Sequence, residues 1–181
     1  MIIKTEEELQ GIKTVSDAVA VTLRKMREYV QIGMSTKEID EYGRKILENL
    51  GARSAPFETY NFPGYSCISV NEAFAHGVPS DQVILKNGDL INIDVSAELG
   101  GFWSDNGCSF LVGEDIHDLQ HLVDTSRTIL LERFQRSVAA SIYPKLEDLL
   151  RIARKKKDTQ SSTTWVVMAL AGVYMKIRVQ Y

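Results

Sequence analysis

The stretch Leu90-Ile-Asn-Ile-Asp-Val-Ser-Ala-Glu-Leu-Gly-Gly-Phe-Trp-Ser-Asp105 decides the fold of this chain. From Ile91 to Ser96 apolar and polar side chains alternate, which is typical of a β-strand with one buried face. The apolar face is formed by Ile91, Ile93 and Val95, and the polar face by Asn92, Asp94 and Ser96. Leu99-Gly100-Gly101 supplies a tight turn, and a second strand is predicted from Phe102 to Val112. We therefore predict an antiparallel hairpin.

Two acidic residues fall on the polar face of this hairpin. If Leu99 and Gly100 form a two-residue turn, Asp94 lies directly opposite Asp105. Directly opposed side chains have Cβ atoms about 5 Å apart, and two like charges at that spacing destabilise a sheet unless something compensates them. A divalent cation compensates them, because carboxylate oxygens are hard ligands for such metals. The alternative interpretation is two solvated acids near a turn.

Helices are predicted on either side of this hairpin. Thr5 with Glu8 and Ser35 with Glu38 are capping boxes, and each is followed by apolar residues at spacings of three and four. Gly51 is placed to end the second of these helices. Residues 52–64 lack helical periodicity and predict a loop that leads into a strand at residues 67–71, and a third helix is predicted after Gly113.

Composition excludes several functional classes. The 181 residues include 44% hydrophobic and 25% charged residues, which is close to the average of globular proteins. No apolar run approaches the roughly 20 residues that cross a bilayer, and the start of the chain is acidic where a secretory signal is basic. The net charge of −3 gives no general attraction to nucleic acid. We expect a cytoplasmic protein that binds neither membrane nor specific nucleic acid.

Three motifs then occur in a fixed order. They are SVNEAFAHGVP at residues 69–79, NGDLINIDVSAELGGFWSD at residues 87–105 and GCSFLVG at residues 107–113. Together with the loop SAPFETYNFPGYSCISVN at residues 54–71, they resemble the type I methionine aminopeptidases, including the ten-residue gap between the two aspartates. The resemblance extends from Met1 to about Glu132.

The resemblance implies an α+β pita-bread fold, of which this chain has the N-terminal half: a curved antiparallel sheet with packed helices. It implies that Asp94 and Asp105 are metal ligands and that His76 contacts the substrate near the scissile amide. It also implies that the loop at residues 54–71 lines a methionine pocket, with Phe62 and Cys67 in its wall. The cofactor implied is a pair of divalent ions, Co, Mn, Fe or Zn. The activity implied is removal of the initiator methionine from nascent polypeptides by a monomer near the ribosome.

The tail departs from this family. Residues 133–181 contain no counterpart of the family's GGHGIG histidine or of its two glutamate ligands. If codons are read one base out of phase, the pairs Trp165-Val166 and Met168-Ala169 each force glycine, and Met175-Lys176 forces glutamate. The shifted frame thereby permits GGHGIGRRLHE. We predict two segments, residues 1–132 of the family and residues 133–181 out of frame after a frameshift near Glu132, and a poorly packed, inactive product.

A binding module is the alternative to an enzyme. Some proteins of the same fold have lost their metal ligands and bind peptides or protein partners. Those proteins usually lose the aspartates and the histidine as well, whereas Asp94, Asp105 and His76 are all present here. Their presence favours a metalloaminopeptidase that has been truncated or misread over a protein that has been repurposed.

Overall fold

A computed structural model describes residues 3–140 of the chain. These residues form four helices and four strands in an α+β arrangement. In chain order the elements are α1 (Glu6–Tyr29), α2 (Thr36–Asn49), β1 (Arg53–Ser54), α3 (Ala55–Tyr60), β2 (Cys67–Val70), β3 (Leu90–Leu99), β4 (Phe102–Leu111) and α4 (Gln120–Ala140).

The two N-terminal helices begin where their capping boxes predict. Thr5 accepts a 3.1 Å hydrogen bond from the Glu8 backbone N–H, and the Glu8 carboxylate accepts one from the Thr5 backbone N–H in return. Ser35 and Glu38 make the same reciprocal pair at the start of α2. Gly51 follows α2 with a φ of 73°, a left-handed conformation that glycine adopts without a steric penalty. The predicted helix ends are therefore confirmed.

Strand β3 lies at the centre of an antiparallel sheet. It pairs with β4 along its whole length on one edge, and with β2 and β1 on the other edge. Helix α1 covers one face of the sheet, where its apolar side chains pack on the apolar face of β3. The fully buried residues of this interface include Val15, Val19 and Met26 from α1 and Ile91, Ile93 and Val95 from β3. Burial of this face leaves the polar face of β3 turned toward the opposite side of the sheet.

The register of the hairpin differs from the prediction. Leu99 pairs with Phe102, so the turn consists of Gly100 and Gly101, whose φ values are 61° and 86°. Two successive positive φ values match the twist of a hairpin, which explains why the glycine pair forms the turn. Asp105 consequently faces Ser96, and Asp94 faces Gly107. The prediction that the two aspartates face each other was wrong, although a shift of two positions keeps both on one face.

Two other boundaries also differ from the prediction. Residues 52–64 were expected to be a loop, but they contain the short helix α3, which Ser54 caps by accepting from the Phe57 N–H and which has proline in its first turn. The third predicted helix begins at Gln120 and not directly after Gly113. The Asp115 carboxylate accepts from the Leu119 and Gln120 N–H groups at 2.8 and 2.9 Å, which places the first helical turn there.

The predicted boundary at residues 132/133 falls within α4. Residues 141–181, which make up most of the predicted out-of-frame tail, lie outside the described residues. No helix in residues 3–140 has the length and apolar character needed to cross a membrane.

Candidate metal and substrate site

A pocket of about 490 Å³ opens on the polar face of the hairpin. It lies between this face, helix α3 and the loop that follows α3. The residues that line it are Ala55, Pro56, Thr59, Tyr60, Phe62, Cys67, His76, Asp94, Ser96, Trp103, Ser104 and Asp105. All five residues that the sequence singled out are among them, although each comes from a different loop or strand.

The two aspartates lie half-buried at the sheet side of this pocket. They are diagonal neighbours across β3 and β4, and side chains so related have backbones about 7–8 Å apart. Ser96, which faces Asp105 directly, donates a 2.7 Å hydrogen bond from its hydroxyl to Asp105 Oδ1. This bond fixes the orientation of one carboxylate. The two acids are therefore not directly opposed across the hairpin.

The donor set fits part of a divalent metal site. Carboxylate oxygens suit hard and borderline divalent ions, and two of them supply anionic ligands on a rigid hairpin. Within residues 3–140, no group of three or more His, Cys, Asp or Glu residues is arranged to hold a metal. Asp94 and Asp105 would supply two ligands of such a site, and a complete coordination shell needs further groups.

Cys67 is the cross-strand neighbour of Asp94 on β2. Burial, reinforced by the nearby charges of Asp94 and Asp105, raises the pKa of its thiol to about 12. The thiol is therefore protonated at neutral pH, and a neutral thiol is a poor metal ligand. Cys67 accordingly behaves as a small, weakly polar part of the pocket wall.

His76 lies exposed at the rim of the pocket in an unusual backbone conformation. Its φ is 55°, the left-handed region that few residues other than glycine adopt. The next residue holds it there: Gly77 N–H donates to Ser69 Oγ at 3.1 Å, and Gly77 C=O accepts from Ile68 N–H at 2.9 Å. Such conformations cost about 1–3 kcal/mol and cluster at functional sites. The backbone thus fixes the position of His76 at the rim of the pocket that also contains the two carboxylates.

The segment at residues 54–71 was expected to line the pocket, but as a loop, and its residues Ala55, Pro56, Thr59 and Tyr60 on α3 were not named individually. The hairpin adds Ser96, Trp103 and Ser104, which were not predicted as pocket residues. The pattern Ser54-Ala-Pro is a helix-start signal, with a capping serine and a proline in the first turn, and it could have identified α3. Trp103 lies two residues before Asp105 on β4, so strand alternation places both side chains on one face and could have identified it.

The comparisons with known proteins agree with this geometry. A family model described as "Metallopeptidase family M24" matches residues 10–155. Methionine aminopeptidase 2 of Bacillus subtilis is 45% identical over 139 residues, which are 77% of this chain and 56% of that protein. The crystal structure of a methionine aminopeptidase from Thermotoga maritima aligns with a TM-score of 0.68 and 31% identity, and it covers 73% of this chain and 53% of that one.

A prolidase from Pyrococcus furiosus is similar in fold alone, with a TM-score of 0.57 and 23% identity over 70% of this chain and 37% of that one. The arrangement of helices on an antiparallel sheet is that of a pita-bread protein, as the sequence predicted. The chain belongs to metallopeptidase family M24. It spans about half the length of the curated relatives that it matches.

Proposed function

We propose that this chain carries the N-terminal half of a metal-dependent aminopeptidase that removes the initiator methionine from proteins. The observation that carries the proposal is one pocket that contains two half-buried carboxylates, a histidine held by its backbone, and an apolar wall. The names of the relatives support methionine as the residue removed.

Each residue has a role in this proposal. Asp94 and Asp105 hold divalent ions, two in the complete site, from among Co, Mn, Fe and Zn. Such ions, when bound, lower the pKa of water and polarise a peptide carbonyl. His76 contacts the substrate near the scissile amide, while Phe62 and Cys67 line the pocket for the methionine side chain. The free α-amine of the substrate is then directed toward the carboxylate side of the pocket.

The proposed substrates are the N-termini of nascent polypeptides. The proposed enzyme is a monomeric, cytoplasmic protein that acts on them close to the ribosome. The pocket suits a chain end because it is small. Its volume of about 490 Å³ accommodates one side chain and a short length of backbone. Membrane and specific nucleic-acid partners have no place in this proposal.

The proposal also covers whether this chain can catalyse the reaction. Residues 1–132 form the family segment, and residues 133–181 are read out of frame. A histidine and two glutamate ligands are therefore missing from this chain. We expect this chain to be inactive. Resequencing the coding DNA from the Thr125 codon onward tests the idea, because stops in the shifted frame before the GGHG stretch would contradict it.

A peptide- or partner-binding module is the second candidate. It is favoured by one observation: the described residues contain no group of three or more metal-ligating side chains. Under this alternative the pocket binds a chain end without hydrolysing it.

A comparison of two proteins tests the proposal. One is the 181-residue chain, and the other is the product of the shifted frame. Release of methionine from a Met-Ala-Ser peptide is measured with Mn²⁺ or Co²⁺, beside Asp94→Asn controls. We expect turnover from the shifted-frame product alone and its loss in the control. A folded shifted-frame product that binds the peptide without releasing methionine would favour the binding module.

A further inference from the structure

Half of the residues that line the pocket come from one segment, residues 55–67. Its apolar part runs from α3 through Phe62, and it ends at Cys67 on β2. Tyr65 and Ser66 connect the two. The contacts of this short connection therefore determine where the apolar wall stands relative to the carboxylates.

Asp40 makes those contacts from the middle of α2. It is only 2% exposed, and its carboxylate accepts hydrogen bonds from the Tyr65 N–H at 3.1 Å and from the Ser66 N–H at 2.7 Å. The Ser66 hydroxyl donates a further bond of 2.6 Å. No basic side chain within residues 3–133 forms a salt bridge with Asp40. The hydrogen bonds that hold this carboxylate thus come from the pocket connection.

Burying a carboxylate without a neighbouring cation costs desolvation free energy. Burial raises the pKa of Asp40, and the hydrogen bonds from Ser66 and Tyr65 oppose that effect only in part. An apolar residue at this place would avoid the desolvation penalty. What the carboxylate adds is direction, because it orients two successive peptide N–H groups at the start of β2.

The same connection is held from its other side. The Ser54 hydroxyl donates a 2.7 Å bond to the Tyr65 carbonyl, and Ser54 also caps α3. Gly64 packs so closely that an added Cβ would lie 2.7 Å from Pro79 and 3.4 Å from Asp40 Oδ2. Pro79 belongs to the segment that follows His76. The contacts around Asp40 thus join α2, α3 and the histidine segment.

We propose that Asp40 is a positioning residue that sets the place of the pocket's apolar wall, and thereby the fit of the side chain that the pocket accepts. That the accepted side chain is methionine rests on the proposed function. The position of the wall does not, because it is defined by contacts within this chain.

The two cysteines provide the test. Cys67 ends the anchored segment inside the pocket, while Cys108 packs against the core on the α1 face of the sheet. Alkylation of both thiols by iodoacetamide is followed by mass spectrometry on the folded 181-residue chain at one fixed pH. The alkylation rate of Cys67 divided by the alkylation rate of Cys108 reports loosening of the pocket wall. Global unfolding accelerates alkylation of both thiols, whereas loosening of the wall accelerates that of Cys67 alone.

Two variants remove the anchor by different means. Asp40→Asn replaces the carboxylate, and Ser66→Ala deletes the shortest bond without a change of charge. The second variant matters because Asp40 itself contributes to the raised pKa of Cys67. We expect each to raise the Cys67 to Cys108 ratio by about tenfold, as the loss of one charge-assisted hydrogen bond permits. If Asp40→Asn does not fold, Ser66→Ala decides alone.

Asp115→Asn is the matched control, since the Asp115 carboxylate also accepts hydrogen bonds from two successive backbone N–H groups, those of Leu119 and Gln120, and Asp115 does not line the pocket. Its ratio should equal that of the unmodified chain. A ratio unchanged in Ser66→Ala, or raised equally in Asp115→Asn, overturns the proposal.

A catalytic measurement separates this inference from the proposed function. In the shifted-frame product, Ser66→Ala should raise KM for a methionyl peptide and reduce discrimination against a leucyl peptide, with kcat nearly unchanged. A product without any activity contradicts the aminopeptidase proposal, whereas the thiol ratio still decides the role of Asp40. An effect of Ser66→Ala on kcat alone would contradict positioning of the wall.

Discussion

The hydroxyl of Ser96 donates a 2.7 Å hydrogen bond to Oδ1 of Asp105, its direct partner across β3 and β4. The bond exists because the glycine pair at residues 100–101 sets the hairpin register. It orients one proposed ligand before any metal arrives. Asp94 has Gly107 as its β4 partner, so the two proposed ligands are supported by different neighbours.

Ser96→Ala should weaken metal binding. Without the hydroxyl, the Asp105 carboxylate gains rotational freedom, and loss of such supporting bonds typically reduces metal affinity by about 10–100-fold. Titration calorimetry with Mn²⁺ on the shifted-frame product measures the change. Ser96→Thr keeps the hydroxyl and suits a strand, so it should retain most of the affinity. Equal affinities for Ser96→Ala and the unmodified protein would remove Ser96 from the site.

Asp94→Asn should abolish stabilisation by metal. A ligand present at one hundred times its Kd raises the melting temperature of a protein of this size by roughly 5–10 °C. Calorimetry with and without Mn²⁺ should show that shift in the unmodified shifted-frame product and not in Asp94→Asn. Without metal the variant should melt no lower than its parent, because it removes one of two neighbouring negative charges. A full shift in Asp94→Asn would exclude Asp94 as a ligand.

The pH dependence of stability should include a contribution from Glu98. Burial opposes ionisation of Glu98, but hydrogen bonds from the Gly101 N–H and from Arg53 prevail and lower the pKa of its carboxyl below 4.5. A lowered folded-state pKa stabilises the protein above pH 4.5, and this contribution is lost as the pH falls through the folded value. Glu98→Gln should cost about 2 kcal/mol at neutral pH and flatten the acid limb of a melting-temperature profile.

The exposed partner of Arg53 serves as the control for that experiment. Glu58 makes a 3.5 Å ion pair with Arg53 at the surface. Glu58→Gln should change stability by less than about 1 kcal/mol, since exposed pairs contribute little. Equal effects of Glu58→Gln and Glu98→Gln would contradict a special role for Glu98.

Gly100→Ala should destabilise the hairpin through the backbone alone. Gly100 has a φ of 61°, and a Cβ added to it would have no heavy atom within 4 Å, so only conformational strain changes. Alanine in the left-handed region costs about 1–2 kcal/mol, which urea unfolding can detect. Gly100→Asn should be milder because asparagine tolerates this conformation. If alanine and asparagine were equivalent, the strain argument would fail.

Much of the fold was predictable because its signals are local. The capping boxes at Thr5 and Ser35 join residues three apart, and the faces of β3 follow from strict alternation. The hairpin was also expected, but its register was not. Either Leu99-Gly100 or Gly100-Gly101 could form a two-residue turn, and the two turns give different registers. Only the backbone conformation of both glycines selects the second.

The candidate site also contains features that the sequence predicted and features that it did not. Asp94, Asp105, His76, Phe62 and Cys67 were named from motifs, and the folded chain brings all five to one pocket. Their chemical roles stay predictions. The diagonal placement of the two aspartates was not foreseen, because it depends on how β4 pairs with β3.

By itself the sequence determined the capped helices α1 and α2, the strands of the hairpin and the faces that they bury, and it identified residue types that can hold a metal. These features depend on neighbours within about four positions, where capping and periodicity act. Tertiary structure alone decided the bond between Ser96 and Asp105, the clamp of Arg53 on Glu98 and the anchoring of the pocket wall by Asp40. The Asp40 contacts span 25 and 26 residues and the Glu98 contact spans 45, so they exist only after the chain has closed on itself.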